Sequence, residues 1–498
     1  MVMEGKKVVI TTDRSLFTTY RDLPWFFGIA SAFPTSWMPR FIQHKFYCKA
    51  PEPNYDGTAK SATLALRCVE SSFIQNGISK EDIVIAHPNN LYKFIGKRTE
   101  FVCISAQDPL GNGPVTTTWR SLAGGEPFNQ EEFRRLMIND LSQYREKYNF
   151  KIVVGGPGSW QLSSKEQLDI FKIDYLAIGE VETIIPKVIS LPNQKIIKAP
   201  PAKADEVPPI LGPTMAGLIE ITRGCGLGCS FCSPTLSGKL RSFPLEKIVA
   251  DATLNVKMRQ NGTIHMHSDN TLNYGSKTLL PDEDVIMNLY KSLFAIEEIK
   301  RVYLTFNNLS TFAYLPDFIK KLTIFLKKKG HKFYYCQTGI ETASPRLMKE
   351  LMPNKCNPYT PEEWPDVVRK AFKVLKENKW IILTTIIIGL PGEEKEDLLQ
   401  TLKLINALED CNNVFITPVF FDPIVTTKLG SWEGFNVEKL IQLQWNLIAQ
   451  CWKHNIKNGW DLYRMISSDL HGVITKNVFR MAIQFAKTIV PLKLRRKV

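Results

Sequence analysis

The sequence predicts an α/β protein made of two successive βα units followed by a helical C-terminal region. Three observations predict it. Short β-branched and apolar runs alternate with helix-length amphipathic segments through two long stretches of chain. Five prolines within residues 197–213 separate those stretches, because proline lacks the amide that a regular helix or ladder needs. From about residue 431 the pattern turns helical, with Trp432, Trp445, Trp452 and Trp460. The implied organisation is 1–195, a proline-rich linker at 196–214, 215–430, and 431–498.

Composition bounds the reading further. A chain of 498 residues has room for about two to four domains. Its 44% hydrophobic and 22% charged residues are ordinary globular values. The N-terminus lacks the apolar core of a leader peptide, and no run of about eighteen apolar residues exists to span a membrane. A cytoplasmic protein is expected. Of ten cysteines, Cys48, Cys68, Cys103, Cys336, Cys356, Cys411 and Cys451 stand singly, as buried thiols do in a reducing compartment. Cys336 and Cys356 flank an expected cofactor strand, so a functional role and a core role both stay open. The net charge of +14 suits an acidic partner, a phosphate-bearing cofactor or an anionic lipid surface. No nucleic-acid module accompanies it, so nucleic acid is not an expected partner.

In the first unit, strands are expected at 7–12, 83–86, 101–105, 151–154 and 175–178, with helices at 59–76 and 131–148. The loops at the strands' carboxyl ends are unusual: 106–119 carries Asp108, Gly155-Gly156-Pro157-Gly158 follows the fourth strand, and Gly179-Glu180 follows the fifth. Ligands of open α/β sheets bind at that rim, and glycine permits close backbone approach. Simple tight turns are the alternative.

In the second unit, strands are expected at 217–222, 262–268, 301–306, 332–337, 380–388 and 413–420. Helices are expected at 244–259, 281–294, 315–328, 361–377 and 393–408. Six strands with intervening helices predict an open (β/α)6 barrel, a partial TIM barrel, whose carboxyl-end face carries chemistry. The loop after its first strand reads Gly224-Cys225-Gly-Leu-Gly-Cys229-Ser-Phe231-Cys232, a Cys-x3-Cys-x2-Cys spacing. Cysteine thiolates hold iron–sulfur clusters, and a full set is four. Three leave one iron of a cubane open to a non-protein ligand. A structural zinc site takes four protein ligands in paired spacings, and no second pair lies nearby.

This spacing, with Phe231 before the last cysteine, resembles the radical S-adenosylmethionine (SAM) superfamily. The resemblance implies a [4Fe-4S] cluster on Cys225, Cys229 and Cys232, SAM on the open iron, and a 5′-deoxyadenosyl radical on one-electron reduction. Family members place an acidic SAM-binding segment at the end of the second barrel strand, here His265-Met-His267-Ser-Asp269. Asp269 is therefore the candidate for the SAM amino group, with a helix-capping role as the alternative. Gly339-Ile-Glu341 resembles the family's Gly-x-Glu element near the ribose. Gly389-Leu-Pro391-Gly392-Glu393 resembles its strand-to-turn element near the adenine. Phe231, Gly339, Glu341 and Gly389 join Asp269 as implied cofactor-binding residues.

An α/β unit before such a barrel resembles the cobalamin-dependent radical SAM enzymes, with an archaeal-type member the nearest expectation. A Rossmann-like cobalamin-binding domain over 1–195 is then implied, with Asp108, Gly155, Gly156, Gly179 and Glu180 as candidate contacts. The Asp-x-His-x-x-Gly motif that ligates cobalt in many cobalamin proteins is missing; Asp469-Leu-His471-Gly472 is out of register and far downstream. The lower cobalt ligand has no assignment, and the 106–119 loop is where one is expected.

The implied activity is C-methylation of an unactivated sp3 carbon, with a peptidyl glutamine of methyl-coenzyme M reductase as an example. The alternative is radical lipid tailoring without methylation, such as cyclopentane-ring formation in archaeal tetraether lipids. Residues 478–490 favour the alternative: they read as an amphipathic helix with Arg480, Gln484 and Lys487 opposite its apolar face, suited to peripheral membrane contact. Expected partners are a ferredoxin- or flavodoxin-like reductant and a protein, peptide or lipid substrate.

Overall fold

The computed structural model describes residues 3–19, 31–233, 238–434 and 436–467. The chain divides into two compact units, one of residues 1–220 with 243–264, the other of 221–242 with 265–498.

The first unit is built on a six-stranded parallel sheet of β1 (Val8–Thr12), β2 (Ile83–Ile85), β3 (Phe101–Ser105), β4 (Lys151–Gly155), β5 (Tyr175–Ile178) and β6 (Ile196–Lys198), in the order β2-β1-β3-β4-β5-β6. Successive side chains of a strand point to opposite faces. Val9, Val102, Ile104, Ile152 and Val154 accordingly pack with Phe133 and Leu136. Val8, Ile10, Phe101, Cys103 and Val153 pack with Leu66, Phe73 and Ile184. Burial on both faces is why these strands read as unbroken apolar runs. Flanking helices are α1 (Leu64–Gln75), α2 (Pro114–Ala123) and α3 (Val181–Ile189). Thr63 caps α1 by accepting from Leu66 N. The proline-rich segment is tied to α4 (Leu245–Arg259), where Asp251 Oδ1 accepts from Ile210 N and Asn255 Oδ1 from Thr214 N, at 2.9 and 2.8 Å.

Two local expectations change. The sixth strand occupies residues assigned to the linker: Ile197 is fully buried opposite Ala177, and the prolines begin only after the strand has ended. The single helix expected at 131–148 is broken into Phe128–Arg134, a wider π-helical turn over Arg135–Asp140, and Ser142–Arg145. The wide turn lets Leu136, Met137 and Leu141 all reach the core and turns Ile138 to solvent.

Chain leaving β7 (Leu218–Glu220) enters the second unit through the cysteine loop, whose base is clipped by antiparallel β8 (Thr222–Arg223) and β9 (Arg241–Ser242). Ile221 N donates to His267 O at the end of β10 (Thr263–His267), and β10 neighbours β11 (Arg301–Leu304). A parallel bridge between Phe306 and Gln337 continues to β12 (Tyr334–Glu341), which pairs in parallel with β13 (Trp380–Ile388), and that with β14 (Val414–Phe420). Strand follows strand in chain order, as the (β/α)6 expectation requires. Its longer helices are α5 (Glu283–Phe294), α6 (Pro316–Lys328), α7 (Pro345–Leu351), α8 (Trp364–Glu377), α9 (Lys395–Ala407) and α10 (Gln442–Ser467).

The helical C-terminal expectation holds in α10, which docks on β14 through Asn455: its Oδ1 accepts from Ile416 N and its Nδ2 donates to Ile416 O. The basic segment at 478–490 and the Asp469–Gly472 motif lie outside the described residues. Among the described residues, no helix is long and apolar enough to cross a membrane.

Candidate active site

The cysteine loop turns on glycines. Gly224, Gly226 and Gly228 all have positive φ, at 74°, 78° and 69°. At Gly224 a Cβ would also meet Lys239 O at 2.7 Å, so only glycine fits that turn. The loop is held by Gly226 N donating to Gly238 O, and by Ser230 N donating to Leu351 O at the end of α7, both at 2.8 Å. Phe231 is half-buried within it. Cys225 and Cys232 are partly exposed and Cys229 is buried.

Burial pushes all three thiols up, Cys229 to about 11, while the nearby Lys355 ammonium acts on each in the opposite direction. Among the described residues, no three His, Cys, Asp or Glu side chains converge on a single metal ion. A cubane differs from such a site because its thiolates sit on separate irons, further apart than ligands of one ion. Three thiols near enough to perturb one another, on one glycine-hinged loop, fit that group. Cluster assembly takes their protons, since the thiolate is the ligand.

Asp269 follows β10 and faces the loop closely enough that its charge raises Cys225 and Cys232. A buried polar belt fixes its backbone. Ser268 Oγ meets Thr222 Oγ1 at 2.6 Å and accepts from Asn270 N, and Asn270 Oδ1 accepts from Asn308 N. The cap of the short turn that follows is Asn270 rather than Asp269. His265 is buried and stacks on Tyr303 at 5.3 Å between ring centroids. It belongs to the barrel's aromatic core.

Glu341 ends β12 at a register shift in its pairing with β13, and takes a φ of +65°, a strained value for a side chain of its size. Its carboxylate folds back over Gly339, filling the space a Cβ there would need. Glu341 Oε2 accepts from Thr385 Oγ1 at 2.9 Å and Oε1 lies 3.5 Å from Lys355 Nζ. The Gly-x-Glu element is thus one folded unit. Lys355, which sequence reasoning missed, is buried. Desolvation works against its charge, but Glu341, Cys229 and Cys225 together hold its ammonium above the ordinary lysine range. No periodicity or motif marks it in the sequence.

Gly389 directly follows β13 with a φ of +78°, and its amide donates to Glu393 Oε2 at 3.0 Å. Gln444 of α10 donates to the same oxygen at 2.9 Å. Burial raises Glu393 to about 7. Cys336 and Cys356 are buried thiols, and burial raises both.

In the first unit the candidate loops close on themselves. Asp108 Oδ1 accepts from Gly113 N and Gln161 Nε2, and Oδ2 from Thr116 Oγ1 and Asn129 Nδ2. It pins its own loop to the start of α2. A Cβ on Gly156 would meet Ala106 O, and one on Gly179 would meet Ala199 O, both at 2.7 Å. These two glycines make room for neighbouring backbone. Gly155 ends β4 with Ala177 Cβ 3.3 Å from where its own would stand, and Glu180 Oε2 accepts from Ala202 N. What the rim leaves unpartnered is a group the sequence did not flag. His87, buried just after β2, accepts from Asn89 N through Nδ1, while Nε2 has no partner among the described residues. Burial drives its pKa down to about 3, so the ring is neutral and Nε2 carries the proton, free to donate.

Residues 219–405 match the family model described as the radical SAM superfamily. A ribosomal protein uS12 methylthiotransferase RimO of Dictyoglomus thermophilum is 27% identical over 282 residues, covering 54% of this chain and 60% of that protein. A tRNA-2-methylthio-N(6)-dimethylallyladenosine synthase of Orientia tsutsugamushi is 26% identical over 206 residues, 41% of this chain and 43% of that protein. The chain spans about half the length of the curated relatives it matches. Among solved structures, the radical SAM methyltransferase TsrM of Kitasatospora setae, with cobalamin and a [4Fe-4S] cluster bound, superposes with a TM-score of 0.56 at 13% identity. That match covers 85% of this chain and 77% of TsrM, and is a likeness of fold.

Proposed function

We propose that this chain, a radical SAM enzyme, is a cobalamin-dependent methyltransferase acting on an unactivated sp3 carbon. The observation that carries the proposal is the sheet order of the first unit, immediately before the cysteine-loop barrel. In β2-β1-β3-β4-β5-β6 the direction of strand addition reverses between β1 and β3. Open α/β sheets bind their ligand outside the carboxyl ends of the strands at that reversal. His87 Nε2, without a partner among the described residues, lies on that rim and suits an acceptor on a bound cobalamin. As the proton-bearing nitrogen it is a donor, so it does not serve as a cobalt ligand.

When bound, the cluster and SAM supply a carbon-centred radical, and cobalamin supplies the methyl group. The protein's share is placement. Cys225, Cys229 and Cys232 would hold the cluster and leave one iron open to the amino and carboxylate groups of SAM. Asp269 would accept from an N–H of that amino group. Glu341, braced by Thr385, accepts from the ribose hydroxyls, and the β13 end at Gly389 borders the adenine. A ferredoxin- or flavodoxin-like protein supplies the electron, and the acceptor carbon belongs to a peptide, such as the glutamine named above, or to a lipid.

Methylthio transfer is the second reading, favoured by the names of the two sequence relatives. Radical lipid tailoring draws its sequence argument from residues 478–490, outside the described chain. One experiment separates them. Full-length protein, reconstituted anaerobically with iron, sulfide and cobalamin, is incubated with methyl-labelled SAM, reductant and candidate acceptors. Label on carbon, dependent on cobalamin, supports the proposal. A labelled methylthio product or an unlabelled cyclised lipid overturns it.

A further inference from the structure

Lys355 is a buried cation without a role in the chemistry above. It is 8% exposed, and among the described residues its ammonium has one hydrogen-bond contact, Glu341 Oε1 at a long 3.5 Å. An ammonium has three donors, and a buried charge is costly unless it is paired and hydrogen-bonded. Glu341 does not supply the rest, because its other oxygen is taken by Thr385. The ammonium is therefore charge-balanced by Glu341 but short of acceptors. Beside it runs the cysteine loop, tied by Ser230 N to Leu351 O, four residues before Lys355, at 2.8 Å.

The lysine is also held in register with that loop. Asn308 Nδ2 donates to Lys355 O at 2.7 Å, and Lys355 N donates to Met352 O at 3.0 Å. One residue earlier, Leu351 O accepts from Ser230 N between the second and third cysteines. Three hydrogen bonds to backbone atoms thus fix the Lys355 backbone relative to the cysteine loop.

We propose that Lys355 is a positioning residue for the iron–sulfur cluster, its ammonium lying against the anionic cubane and raising the cluster's reduction potential. The inference rests on the cluster reading of the cysteine loop. The step concerned is the uptake of one electron by the oxidised cluster from an external reductant, with no bond made or broken. That electron adds negative charge, which a fixed cation at short range in a low-dielectric site stabilises. Local charge and burial are among the quantities that set cluster potentials. The cluster held by the loop would supply the further acceptors that the ammonium lacks.

The test is an EPR-monitored redox titration, without SAM, of reconstituted full-length wild type, Lys355→Gln, Lys355→Arg and Glu341→Gln, each with iron and sulfide counted. Lys355→Gln is expected to lower the reduced-to-oxidised ratio at a fixed potential about tenfold, which for one electron is about 59 mV. Lys355→Arg stays with the wild type. Glu341→Gln moves the other way, since the ammonium loses its competing carboxylate. If Lys355→Gln assembles no cluster, Lys355→Met is titrated in its place, and a wild-type potential there, or no cluster in either, overturns the proposal. A fully loaded Lys355→Gln protein with wild-type potential also overturns it, including the case where only SAM binding weakens and the ammonium serves the SAM carboxylate. A wild type without a cubane signal overturns the cluster reading itself, and this inference with it.

Discussion

The carboxylate of Glu341 lies where a side chain on Gly339 would begin, and Thr385 Oγ1 holds it there from the neighbouring strand. The glycine two residues before this acid is a steric requirement of the acid's own fold-back. The same arrangement turns Glu341 into the left-handed region, so backbone strain and side-chain placement are one feature.

Gly339→Ala is therefore expected to expel the carboxylate from its place beside Thr385 and Lys355. SAM affinity should fall by about tenfold or more, as overpacking at a site without slack costs about 1–3 kcal/mol. Iron content should stay at the wild-type level. Equilibrium dialysis with labelled SAM beside an iron assay checks both.

Asp269→Asn keeps the size of the side chain and removes its charge, leaving the Ser268–Asn270–Asn308 belt untouched. SAM binding should weaken by about 1.5–3 kcal/mol, the range for a hydrogen bond to a charged group. The cluster's spectrum without SAM should not change. Loss of iron instead would make Asp269 a residue of the loop's architecture.

Trp364 is fully buried on α8 and donates from Nε1 to Thr342 O at 3.0 Å and Ile340 O at 3.3 Å, the carbonyls flanking Glu341. Trp364→Phe leaves both carbonyls without that donor. A stability loss of about 2 kcal/mol is expected from the urea midpoint. Weaker SAM binding should accompany it, because the bulge carrying Glu341 loosens.

Glu393 gives a pH signature. Its carboxyl is raised by burial from 4.5 to about 7. Between those values the folded chain holds the proton more tightly than the unfolded chain. The contribution of this group to stability is thus greatest at the acid end, falls as pH rises through the window, and levels off above it. Glu393→Gln keeps acceptors for Gly389 N and Gln444 and should flatten that part of the profile. Urea titrations of both proteins between pH 4.5 and 7.5 measure the difference; parallel profiles would show that Glu393 titrates unperturbed.

The parts of the fold that could be read in the sequence are those where local chemistry and tertiary role coincide. β13 spans the residues expected of it because its isoleucine run is long and bounded by a turn. The glycines of the cysteine loop announced their positive φ for the same reason. Lys355 could not be read, because its role depends on where α7 delivers it beside residues about 130 positions earlier, and a lone lysine in a loop carries no period. Asp108 pointed the other way. An acid in a glycine-rich rim loop looks available, yet four donors from its own unit consume its oxygens. The helix expected at 131–148 failed for a related reason: its apolar spacing is helical, and a single wide turn over Arg135–Asp140 shifts the face midway.

The central claim is that Cys225, Cys229 and Cys232 hold a cubane whose fourth iron accepts SAM. EPR of the anaerobically reconstituted, reduced protein, recorded with and without SAM, tests it most directly. A cubane signal that changes on adding SAM, and disappears when any of the three cysteines becomes alanine, is the predicted result. A signal indifferent to SAM, or one that survives an alanine at any of the three positions, would contradict it.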